Sequence, residues 1–101
     1  MAPVYSTQFM LVSGATLLEY VVPTGFIAIV RDFETWYLGG PDNVILFSVD
    51  ETVIQQLNFA ADETASNHQD FRIVVNAGST IRVSSTHAAD WYLGGYLLTA
   101  Q

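Results

Sequence analysis

The chain has 101 residues, ten acidic against three basic, all three arginine, and no cysteine. One core and one domain, 1–101, fit that length, with no disulfide or thiolate metal site to staple a second. A net charge of −7 works against phosphate backbones and anionic lipid surfaces, so nucleic acid and membrane are excluded as expected partners.

Charged residues make up only 13% of the chain and hydrophobic ones 50%, which suits a surface buried against neighbouring subunits better than one left in free solution. Apolar runs such as 25–30 and 44–47 are far below the length of a spanning helix, and the first residues lack the basic start of a secretory signal. Synthesis in a reducing cytosol is the expectation.

In chain order, runs rich in Val, Ile, Thr and aromatics predict strands at 5–12, 16–22, 26–38, 44–49, 71–75, 80–85 and 91–99. Turn residues separate them: Ser13-Gly14, Pro23-Thr24-Gly25, Gly39 to Asn43, Asp50-Glu51, Asn76-Ala77-Gly78, and Thr86 to Asp90. Segment 50–61 reads two ways. Val53, Gln55, Leu57 and Phe59 alternate as in an edge strand, whereas Thr52-x-x-Gln55 resembles a helix cap ahead of Ile54, Leu57 and Ala61 at helical spacing. The polar run ADETASNHQD, 61–70, reads as a mobile surface loop. The fold class that follows is all-β, an antiparallel β-sandwich or jelly roll of seven to eight strands.

An internal two-fold repeat underlies this pattern. WYLGG occurs at 36–40 and again at 91–95, and Val21-Val22-Pro23-Thr24-Gly25 with Val30 matches Val74-Val75-Asn76-Ala77-Gly78 with Val83. Aligning the copies turns Ala28 and Val30 inward, like Ile81 and Val83, and Arg82 outward. Ile27 and Ile29 are then left on a second apolar face that a neighbouring subunit would cover. Gly94-Gly95 is read as a place where a strand kinks or approaches another backbone, not as a phosphate cradle.

Chemistry has little local signature. His68 with Asp70 and His87 with Asp90 fall short of the three or four ligands of a metal site, and acid pairs such as Asp50-Glu51 read as solvated turns. No nucleophile and base share a recognisable spacing, so no catalytic residue and no cofactor are expected. Trp36, Tyr37, Trp91 and Tyr92 suit either core and subunit interface or a platform for stacking sugar rings. The subunit-contact candidates are Ile27, Ile29, Trp36, Tyr37 and Tyr92. Arg31, Arg72 and Arg82 are expected to pair with acids at strand faces or subunit seams.

The order V-V-P-T-G-F-I-A-I-V-R-D-F, then F-R-I-V-V-N-A-G-S-T-I-R-V, then G-G-Y-L-L-T resembles small β-sandwich virion proteins of tailed phages, especially those infecting actinobacteria. Val22, Pro23, Gly25, Val30, Arg31 and Asp32 match that family's VPxG…VVRD entry. Arg72, Val74, Gly78, Ile81, Gly95, Tyr96, Leu97 and Leu98 match its later motifs. Ile73 and Ser79 depart from the pattern, and 33–70 matches none of it. The resemblance implies a minor tail or head decoration protein in a virion assembled in the host cytoplasm. Its partners would be copies of itself, as a trimer or ring, and other virion proteins. The alternative is a carbohydrate-binding module for host wall glycans.

Overall fold

The computed structural model describes residues 5–62 and 64–99, with side chains for all of these except 5–15, 38 and 65. They form six antiparallel strands and no helix: β1 (Tyr5–Val21), β2 (Phe26–Leu38), β3 (Asn43–Val49), β4 (Thr52–Phe59), β5 (Thr64–Val75) and β6 (Thr80–Thr99). The all-β antiparallel class is as expected; the count is six because two pairs of predicted strands are continuous.

β1 runs through Ser13-Gly14, and β6 runs through 86–90. Both segments mark irregularities rather than chain reversals, since the β1–β6 register shifts between Val12 and Ala15 and again before Leu17. A register shift lets a strand bend and change its facing without ending, which is how one strand serves two layers.

The first half of β6, 80–85, lies between β3 and the end of β1; its second half, 90–99, lies between β2 and the start of β1. β4 extends the first group beyond β3, and β5 extends the second beyond β2. The two groups face each other. Phe33 of β2 meets Phe47 of β3 with ring centroids 5.7 Å apart, Phe47 meets Phe71 of β5 at 5.4 Å, and Tyr37 of β2 meets Phe59 of β4 at 5.6 Å. None of these strand pairs shares a hydrogen-bonded ladder, so the contacts cross the sandwich. Ile45, Phe47, Val83, Trp91 and Leu93 are fully buried between the layers.

Segment 50–61 resolves as the edge strand. Thr52 to Phe59 pairs with β3 alone, through a two-residue turn at Asp50-Glu51 in which both residues have positive φ, 48° and 72°. The loop expected over 61–70 is corrected: only its start turns, and from Thr64 the chain is β5, paired with β2 as far as Leu38. The run is polar on both faces of the strand: Ser66, His68 and Asp70 are exposed on one side, and on the other the half-buried Gln69 amide donates to Asn67 Oδ1 at 2.8 Å.

The repeat is real at its turns. Gly25 and Gly78 share a φ of 87°, and each closes a turn in which the residue after the glycine donates to the carbonyl three back, Phe26 to Pro23 and Ser79 to Asn76, both at 3.2 Å. That is the type II geometry which selects glycine at its third position. The two turns also bond to each other, Val22 N to Ser79 O at 3.0 Å and Gly78 N to Val22 O at 2.9 Å.

The WYLGG copies, by contrast, are not equivalent. Gly39 and Gly40 have positive φ in a loop, whereas Gly94 and Gly95 continue β6. A bulge in β2 separates the two cases: Val30 pairs with Gly95 and Asp32 with Gly94, leaving Arg31 as the extra residue. Val30 and Phe33 both face inward as a result, and from there the facing of β2 is reversed. Tyr37 is thereby buried with Trp36 outside, while in the second copy Trp91 is buried with Tyr92 outside.

Candidate functional site on the outer face of β2, β5 and β6

Ala28, Val30, Val75 and Leu97 pack into or against the core, so the residues between them stand on the opposite face of the sheet. Cross-strand registers arrange that face in rows. Below the bulge, Val74, Ile29 and Tyr96 lie side by side, and Ile27 is beside Leu98. Above it come Asp70, Asp32 and Gly94; then His68, Glu34 and Tyr92; then Ser66, Trp36 and Asp90. The lower rows are apolar and the upper rows are acidic and aromatic.

Val74 is 59% exposed, and Ile27, Tyr96 and Leu98 are half-buried. Ile29 corrects the expectation that it stands open to a neighbour: it is 7% exposed, set between Val74 and Tyr96. Tyr37 is corrected outright as a subunit contact. Its ring lies in the chain's own core, and its hydroxyl donates to the Pro41 carbonyl. Trp36 and Tyr92 remain on the outer face, half-buried. The four-ring sugar platform does not form, because Trp91 has no exposure at all.

Gly94 and Gly95 have separate physical roles. A Cβ on Gly94 would sit 2.6 Å from the Tyr92 hydroxyl and 2.8 Å from the ring edge, so the tyrosine lies over the bare backbone. A Cβ on Gly95 would fall on the Ile29 carbonyl oxygen, where the bulge draws β2 against β6. The close approach read from the sequence is therefore there.

In the upper rows His68 and Asp70 sit two apart on β5, on one face, and the bulge brings Asp32 of β2 directly opposite Asp70. His68 Nε2 is 2.8 Å from Asp70 Oδ1 and 3.9 Å from Asp32 Oδ1. The hydrogen bond to Asp70, reinforced by the charges of Asp70, Glu34 and Asp32, raises the imidazole pKa above its ordinary value, and the same bond lowers that of Asp70. Loss of solvent, with Asp32 as a second cause, pushes the Tyr92 phenol up. The reading of His68 and Asp70 as solvated loop residues short of ligands is corrected in its premise: they belong to a strand, and a third donor arrives from across the ladder. The sequence signal was two polar alternations, Asp32-x-Glu34 and His68-x-Asp70; which residues they faced depended on the register.

On the opposite layer Arg82 meets the expectation of an acid partner, donating from Nη2 and Nε to Glu19 Oε2 at 2.8 and 3.2 Å. The apolar recess lined by Tyr20, Ala28, Val30, Ile81, Leu93 and Gly95 has a volume of about 20 Å³, room for one water and not for a ligand.

No protein-family model matches the chain, and no curated protein matches it in sequence. Solved structures match in fold. The Drosophila NLP core, described as giving insight into pentamer formation and histone binding, superposes with a TM-score of 0.54 at 13% identity, over 90% of this chain and 96% of that one. Latent dimeric PorU from Porphyromonas gingivalis gives 0.48 at 7% identity over 91% of this chain and 13% of its own. A family 35 carbohydrate-binding module from Clostridium thermocellum gives 0.38 at 14% identity over 97% of each chain. What the NLP core shares with the present chain is its fold.

Proposed function

We propose that this protein is a structural subunit that associates with copies of itself into a closed symmetric oligomer on a tailed-phage virion, as a minor tail or capsid decoration protein. The observation that carries the reading is the outer face of β5, β2 and β6. Its inner side already closes the core, yet its outer side presents Val74, Ile27, Tyr96 and Leu98 in adjoining rows. An apolar patch of this kind supports a reading as an association surface, and a second copy is the occupant proposed for it, since charged residues make up only 13% of the chain. The pentamer named for the Drosophila NLP core gives a precedent for association on this fold. The virion context rests on the motif resemblance around the two glycine turns and the closing Gly95-Tyr96-Leu97-Leu98.

Light scattering on the purified chain tests the first part, with a mass of several multiples of 11.1 kDa expected and a monomer at micromolar concentration contradicting it. Antibody labelling of intact particles tests the second, with label on the tail or capsid expected and its absence from particles contradicting the virion role.

A further inference from the structure

We propose that Asp32, His68 and Asp70, with Glu34 beside them, form a binding site for a first-row transition-metal dication of the zinc class. Three of these groups present donor atoms that all lie within 4.8 Å of one another, on the outer face of two adjacent strands. Zinc bonds nitrogen and carboxylate oxygen at about 2.0–2.2 Å, which puts neighbouring donors of a tetrahedral site roughly 3.4 Å apart. The spacings from His68 Nε2 to the two aspartates, 2.8 and 3.9 Å, bracket that value. One imidazole and carboxylates form a donor set for zinc, cobalt or manganese; magnesium and calcium take oxygen ligands instead.

The backbone accounts for the placement. Two residues after the core-facing Val30, Asp32 would point inward in a regular strand, but the bulge at Arg31 reverses β2 and turns it outward opposite Asp70. Glu34 lies directly across from His68, where it can serve as a fourth ligand or hold a metal-bound water. Three carboxylates gathered around one imidazole repel one another, and a dication bound among them relieves that repulsion. The site lies in the rows next to the apolar ones proposed for self-association, on the same face, and its test reads metal uptake, not oligomeric mass.

The experiment is calorimetric titration of the whole chain with ZnCl2 at neutral pH, with Co²⁺ as a spectroscopic probe. One equivalent per chain is expected, weakened tenfold or more in His68→Gln and in Asp32→Asn, with His87→Gln unchanged and thermal melts showing all variants folded. Absence of saturable uptake below millimolar metal overturns the proposal, as does equal uptake in His68→Gln and Asp32→Asn or loss confined to His87→Gln. A variant that fails to fold is replaced by Asp70→Asn, whose side chain is 79% exposed, and read by the same criteria.

Discussion

The buried side chain of Asn43 makes two hydrogen bonds to the backbone of His87, accepting from its N–H and donating to its carbonyl, each at 3.1 Å. Asn43 opens β3 with 1% exposure, and His87 lies where β6 passes from one layer to the other. The ladder to β3 ends at Ser85 and the ladder to β2 begins at Asp90, so the amide supplies the pairing that the strand loses at its crossing. Asn43→Ala removes both bonds and leaves the His87 N–H without its side-chain acceptor, while the His87 carbonyl still accepts from Ser85 Oγ at 2.6 Å; the expected cost is about 1 kcal/mol in urea unfolding. A loss below about 0.5 kcal/mol would show that the clamp is dispensable.

Thr35 and Trp91 are paired across β2 and β6 inside the core, and neither the Thr35 hydroxyl nor the Trp91 indole nitrogen has a partner among the described residues. Thr35→Val keeps the shape, keeps the strand preference and removes a buried donor, so it is expected to stabilise by about 1 kcal/mol. Denaturant unfolding checks the sign; destabilisation would reveal a partner for the hydroxyl.

At the β3–β4 turn, Glu51 has a φ of 72° with no side-chain bond to compensate among those seen at this turn, while Asp50 accepts from Thr80 N at 2.9 Å. Glu51→Gly is expected to raise stability by about 1 kcal/mol by releasing left-handed strain, partly offset by glycine's greater freedom when unfolded. A lowered melting temperature would contradict it.

Hydrogen bonds from the Ser79 side chain and then the Thr80 backbone lower the Asp50 pKa below 3.8. A depressed carboxylate stabilises the fold above its unfolded pKa, and that contribution is lost as pH falls through the lower folded value. The acid limb of the stability curve below pH 3.8 is therefore expected to flatten in Asp50→Asn. An NMR titration placing the native Asp50 at or above the ordinary aspartate value would refute the assignment.

Local chemistry made the turns legible. Gly25, Gly78 and the Asp50-Glu51 pair sit where backbone sterics leave few choices, and the inward set Ala28, Val30, Ile81 and Val83 follows from alternation within short stretches. Tyr37 lies in the core and not at a subunit contact because one extra residue at Arg31 inverts every side chain after it, and nothing in the composition of R-D-F announces a bulge. The candidate metal donors were hidden for the same reason. His68 and Asp70 are visible as a pair, but their third partner lies 36 or more residues earlier and meets them only through the β2–β5 register. Ser13-Gly14 and Thr86 to Asp90 carried turn composition yet mark bends within long strands, since a crossing between layers uses the same small and polar residues as a reversal.

Sedimentation velocity of the wild-type chain beside Val74→Asp tests the association surface most directly. Val74 is 59% exposed and outside the core cluster, so the substitution places a charge on the outer face and leaves the core between the layers intact. The account predicts an oligomer for the wild type and a folded monomer of 11.1 kDa for the variant, its circular dichroism unchanged. An unaltered oligomer in Val74→Asp, or a wild type that is already monomeric, would contradict it.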